Sequence, residues 1–312
     1  MEPLIRNVWH SNFEGEMFSM ESIIHNNNLI SFDTEFPRFL PNTLRNASKT
    51  DRYEDIKFNV DSLKPIQFGL MFTDPYGNLP HSGGVWKFNF DDFDPAINLH
   101  MTASVELLLR NGIDLEKNKR GVDIKSFSAQ FRNIIRYEGH RIQWLTFHGV
   151  YDITYFIKVL NANKLMSGTL QEFMTMVGSI FPWLYDLKFI AKFCHGLLGG
   201  ALGLKRLAKI LKVKRVGETH QMGFDRLIMS NVFSKMKKVY YEGYLYSISF
   251  RKKRWLVPPR PHFITIVSNG YYHGRPSFGT ISSPLRWSHC HALVPTVHVL
   301  HCQWSMHHAN VI

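Results

Sequence analysis

The sequence predicts an α/β fold, and three observations carry that expectation. Short apolar runs with strand character recur at residues 28–36, 66–73, 85–90 and 143–147. Apolar residues at helical spacing lie between and after them, at 103–111, 125–137, 170–177 and 203–213. The chain has 312 residues and is 45% hydrophobic, enough to bury one large core or two modest ones.

Residues 28–36, NLISFDTEF, read as a strand entering a turn at Pro37. Residues 43–59 are polar and charged, and read as a loop or a short surface helix. The runs IQFGLMFT (66–73) and VWKFNF (85–90) flank the turn-rich segment DPYGNLPHSGG, which predicts a hairpin-like pair. QWLTF (143–147) reads as a short buried strand. A helix follows Asp152, with Tyr155, Phe156, Val159 and Leu160 on its apolar face. In GLKRLAKILKV (203–213), Leu204, Leu207, Ile210 and Leu211 make an apolar stripe. Lys205, Arg206 and Lys209 lie on the other face, which reads as a solvated surface, with contacts to phosphate groups as the alternative.

The composition changes near residue 247. The remaining residues hold eight of the sixteen histidines and two of the three cysteines, but no acidic residue and no sustained period. The expected division is therefore a globular domain over 1–246 and a basic, His-rich tail over 247–312, divergent or disordered. In that tail, His289, Cys290, His291, His298, His301 and Cys302 are zinc-ligand types without the spacing of a known module. Arg251-Lys252-Lys253-Arg254 reads as a solvated basic run, with a nuclear localisation signal as the alternative.

Composition also bounds function. No run of eighteen apolar residues predicts a membrane span, and the first residues lack the pattern of a secretory leader. Three cysteines are too few for a disulfide framework, so a reducing, intracellular compartment is expected. The formal net charge of +12 favours a polyanionic partner. Residues 251–312 supply seven Lys or Arg, however, leaving about +5 on the first 250 residues, a weak signal.

Three motifs carry carboxylates. In Asp33-Thr34-Glu35, strand alternation projects both acids from one face, about 6–7 Å apart, close enough to share a divalent cation. The alternative is a solvated strand end, though Leu29, Ile30, Phe32 and Phe36 around the pair are apolar. In Phe147-His148-Gly149-Val150-Tyr151-Asp152, an acid opens a helix after a strand and a turn. Asp152 reads equally as a helix cap, and His148 as a packed core histidine. In the segment from Gly217 to Asp225, a polar loop containing His220 leads into a helix that starts near Asp225, which again reads as a cap.

In combination the order DTEFP, FH-x-x-YD, HQ-x-G-x-D resembles the DEDD exonuclease superfamily. More narrowly it resembles the CCR-associated-factor deadenylases, the catalytic subunits of the CCR–NOT complex, and their plant members in particular. IRNVW (5–9), PIQFGLMF (65–72), WKFNF (86–90) and FPWLYDLKF (181–189) match the same family, so the likeness spans roughly residues 4–243. It implies a ribonuclease-H-like mixed sheet flanked by helices, and 3′→5′ removal of AMP from poly(A) tails. It implies partner subunits of a CCR–NOT-like complex, and action in nucleus and cytoplasm. Asp33, Glu35, Asp152 and Asp225 match the family's metal-binding carboxylates, and His220 the histidine of its third motif. Arg38 stands where the family usually has glycine.

Two divalent ions, Mg²⁺ or Mn²⁺, about 4 Å apart would serve an in-line phosphodiester displacement. The expected assignment has Asp33 bridging them, Glu35 and Asp225 completing one site and Asp152 the other. His220 is the candidate general base, or else orients water or phosphate. Two alternatives stand beside this reading: a DEDD exoribonuclease without poly(A) preference, and a non-catalytic scaffold subunit of the same complex.

Overall fold

Alternation along Leu29–Glu35 decides the architecture. Ile30 and Phe32 turn to one face of the strand and are fully buried, while Leu29 and Ser31 turn to the other and are buried as well. A strand covered on both faces belongs at the centre of a sheet with helices on each side. The structure, a computed structural model, describes residues 4–37, 47–213 and 222–242, without the side chains of 222–225 and 241–242.

Its sheet has six strands: β1 (Ile5–Val8), β2 (Leu29–Glu35), β3 (Gln67–Thr73), β4 (Val85–Asn89), β5 (Gln143–Thr146) and β6 (Leu184–Asp186). Their order is β1-β4-β3-β2-β5-β6. Strand β3 runs antiparallel to β2 and β4, whereas β1–β4, β2–β5 and β5–β6 pair in parallel. This is the mixed, helix-flanked sheet that the resemblance implies, and β3 with β4 is the expected antiparallel pair. The helices are α1 (Phe13–Ile24), α2 (Lys49–Ser62), α3 (Thr102–Arg110), α4 (Leu115–Asn118), α5 (Ile124–Glu138), α6 (Val150–Leu160), α7 (Leu170–Ile180), α8 (Leu187–Ile190), α9 (Leu204–Ile210) and α10 (Met222–Met236).

One face of the sheet carries an aromatic core. Phe32, Phe68 and Trp144 from the strands meet Phe127 and Phe131 of α5, Phe156 of α6 and Phe181 beyond α7. The ring centroids of Phe156 lie 4.5 Å from Phe68 and 5.3 Å from Phe32. Each such pair adds about 0.5–1.5 kcal/mol beyond its area burial. The other face is closed by α10 and α9, whose Ile228, Met229, Val232, Phe233 and Leu207 pack on Leu29 and Leu145. Among the described residues no helix is long and apolar enough to cross a membrane.

Three local expectations change. The segment read as a loop or short surface helix holds the 14-residue α2. Ser48 and Asp51 form its capping box, at 3.1 and 3.0 Å, and Tyr53, Ile56 and Val60 bury one narrow stripe of an otherwise polar helix. On α9, Leu207 and the following Leu211 are buried but Ile210 is 43% exposed, so the apolar stripe is narrower than its spacing predicts. His148 is exposed rather than packed in the core, with a left-handed φ of 59°. Arg38, the basic run 251–254 and the whole of 247–312 lie outside the described residues.

Candidate active site

The exit of β2 sets the site. Its alternation turns Asp33 and Glu35 to the α10 face, as the sequence predicts, and Thr34 to the aromatic face. Phe36, just beyond, stacks on Tyr155 and Tyr151 of α6 with centroids 4.2 and 5.6 Å apart, so the strand leaves the sheet pinned against that helix.

Asp152 comes to the same place from α6. It does not cap that helix: Gly149 holds the cap position and Asp152 sits in the first turn. Its Oδ1 instead accepts the Thr34 amide at 2.9 Å and the Thr34 hydroxyl at 2.8 Å. The turn before it is tied down from the neighbouring strand. Asp186, at the end of β6, accepts the Gly149 amide at 3.1 Å through Oδ2 and the Phe189 amide at 3.0 Å through Oδ1. A Cβ on Gly149 would collide with Thr146, so only glycine lets the turn close here.

The electrostatics show two acids forced together. Burial, and next the charge of Asp33, push the Asp152 carboxyl from 3.8 up to about 7, against the pull of the two Thr34 hydrogen bonds. A carboxyl raised by a neighbouring carboxylate is the chemistry of a divalent-cation site, since a hard cation prefers several carboxylate oxygens and relieves their repulsion. Asp33, Asp152 and the nearby Glu35 therefore fit such ions. Among the described residues no three acidic, His or Cys side chains gather into a complete metal cluster. Asp225 falls within the first turn of α10, not at its start, and its side chain lies outside the description, as does all of His220.

A further charge is present that reasoning from the motifs missed. Arg226 of α10 is fully buried, and its Nε donates to Asp33 Oδ1 in a salt bridge. It lies over Gly69, the residue directly opposite Asp33 in the β2–β3 register, and Lys87 is opposite Gly69 on β4. Burial, then the Arg226 charge, lowers the pKa of Lys87, while Glu35 acts to raise it. Thr34, Asp186 and Arg226 were the unrecognised members of the site. A glycine inside a strand is the one sequence signal that marks such a close approach.

No protein-family model matches the chain. A curated relative named "Probable CCR4-associated factor 1 homolog 7", from Arabidopsis thaliana, is 38% identical over 247 residues, 77% of this chain and 88% of the relative. Poly(A) ribonuclease pop2 of Schizosaccharomyces pombe is 33% identical over 242 residues, 77% of this chain and 71% of the relative. Among solved structures, S. pombe Pop2p in its Mg²⁺- and Mn²⁺-bound form superposes with a TM-score of 0.68 at 32% identity, covering 78% of this chain and 95% of that one. CAF1 co-crystallised with the yeast NOT1 MIF4G domain gives a TM-score of 0.63 at 30% identity, covering 75% of this chain and 88% of that one.

Proposed function

The chain belongs to the CCR4-associated factor 1 family of poly(A) ribonucleases, and from that premise we propose that Asp33, Glu35, Asp152 and Asp225 carry its deadenylation chemistry. The chain is a metal-dependent 3′→5′ exoribonuclease of the DEDD type acting on poly(A) tails. The observation that carries the residue assignment is the convergence of Asp33 and Asp152 through Thr34 at the end of the central strand.

Asp33 and Glu35 approach from the strand and Asp152 from α6; Asp225, on α10, completes the set. When bound, two divalent ions (Mg²⁺ or Mn²⁺) supply charge relief on the leaving oxygen and acidify the attacking water. The chain's own contribution is to hold carboxylates on rigid elements. Thr34 orients Asp152, and Asp186 fixes the turn that presents it. His220 accepts the water's proton, its ordinary pKa lying near neutrality.

NOT1-like MIF4G subunits are the partner class, by analogy with the yeast CAF1 complex. The catalytic unit is residues 1–246, with 247–312 a separate tail. The test is degradation of labelled oligo(A) against mixed-sequence RNA with Mg²⁺ or Mn²⁺. Stepwise loss of AMP, faster on oligo(A) and slowed by at least about a hundredfold in His220→Ala with RNA binding intact, is the expected result. Equal rates on both RNAs would remove the poly(A) preference.

A further inference from the structure

Asp33 already has a cation. Its row across the sheet runs Asp33, Gly69, Lys87, all on the face covered by α10. Because Gly69 has no side chain, a slot opens beside the carboxylate, and the Arg226 head group fills it; a Cβ built on Gly69 would overlap the guanidinium Nη2, Cζ and Nε. Arg226 has no exposed surface, so its charge is poorly screened by solvent, and it is bonded to Asp33. Lys87 lies next along the row, with Glu35 near enough to act on it. Arg226 and Lys87 thus place two cations along the row that begins at Asp33.

We propose that Arg226 is a resident counter-charge that competes with divalent cations for Asp33, so that the free chain binds its Asp33 metal weakly. The geometry gives the reason. An arriving ion meets a carboxylate that is already paired with a guanidinium fixed within bonding distance of it, and like charges that close repel strongly where solvent is excluded. A substrate phosphate would offset that repulsion, so metal occupancy at Asp33 rises when RNA is present. The inference rests on Asp33 being a metal ligand.

The test is isothermal titration of the full chain with Mn²⁺ in the absence of RNA. Arg226→Met, which keeps the length and removes the charge, should tighten binding by about tenfold or more. Gly69→Ala should shift the Kd in the same direction, because the new methyl group takes the place of the guanidinium while leaving the arginine in the chain. Arg226→Lys, which keeps a cation, should stay near wild type. Unchanged or weaker binding in both Arg226→Met and Gly69→Ala, with native circular dichroism, overturns the proposal. Should Arg226→Met not fold, Gly69→Ala decides it alone. An Asp33→Ala control separates the layers. If it binds Mn²⁺ like wild type, the metal-ligand reading of Asp33 fails; if it loses binding while Arg226→Met shows no tightening, only the role of Arg226 fails.

Discussion

Among the described residues two cationic side chains are buried, and the two regions around them use the same chemistry for different ends. Lys158, on α6, points at the last turn of α2. Its ammonium donates to the carbonyls of Val60 and of Leu63, the latter at 2.9 Å. These are carbonyls a helix end leaves without intrahelical partners, and the cation also meets the negative end of the helix dipole. Burial holds its pKa down at about 8, from 10.5, so proximity to Asp61 only partly offsets the desolvation. Arg226, on α10, points instead at a full carboxylate on the central strand. A cation on backbone dipoles fastens one helix to another; a cation on Asp33 occupies a carboxylate that we propose as a metal ligand. Burial of charge alone does not mark function; the partner does.

The largest effect expected from breaking this contrast lies on the acidic side. Asp152→Asn should cut oligo(A) hydrolysis by about a thousandfold, corresponding to several kcal/mol of charge stabilisation. Its thermal midpoint should hold or rise, because the amide oxygen still accepts from Thr34 while the repulsion with Asp33 is gone. The pH dependence of the metal-free protein should follow the same group. The folded pKa of about 7 lies above the ordinary 3.8, so the folded state holds the proton longer. The stability tied to Asp152 is therefore complete below about pH 4 and is lost as pH rises through 7. Chemical denaturation at several pH values should show that slope in the wild type and not in Asp152→Asn.

Lys158→Met should do the opposite. It strands carbonyls at the end of α2, which costs about 1–3 kcal/mol in denaturant unfolding, with turnover per folded molecule unchanged. A matching loss of turnover would place Lys158 in the site. The smallest effect is expected from Thr34→Val, which removes the hydroxyl donor but keeps the amide donor to Asp152. Loss of one such supporting hydrogen bond should raise the metal concentration needed for half-maximal activity by about tenfold.

How much of this was legible in the sequence differs by element. Strands β2 to β5 carry apolar runs bounded by turn residues, and the sequence locates them to within a residue or two. The edge strands β1 and β6, four and three residues long, are too short to show a period, and they enter the reading only as matches to the family. Helix α1 buries Phe13, Met17, Met20 and Ile24 at helical spacing, a stripe absent from the sequence reading above because glycine and polar residues interrupt it. Helix α2 was obscured because it buries one stripe of a mainly polar segment. In the site, the projection of Asp33 and Glu35 follows from strand alternation alone. Asp152 could not be told from a cap, since the bond that distinguishes it comes from Thr34, 118 residues away. Arg226 was harder still: a basic residue beside Asp225 declares nothing until the fold sets it against Asp33 across 193 residues.

If Asp33 anchors metal-dependent removal of AMP from poly(A), its loss must stop the shortening of oligo(A). Wild-type chain and Asp33→Ala are incubated with 5′-labelled oligo(A), with Mn²⁺ and with excess chelator. This role of Asp33 requires a ladder shortening from the 3′ end for wild type with Mn²⁺ alone, and intact RNA in the other three arms. Shortening that persists in chelator, or at wild-type rate in Asp33→Ala, would contradict it.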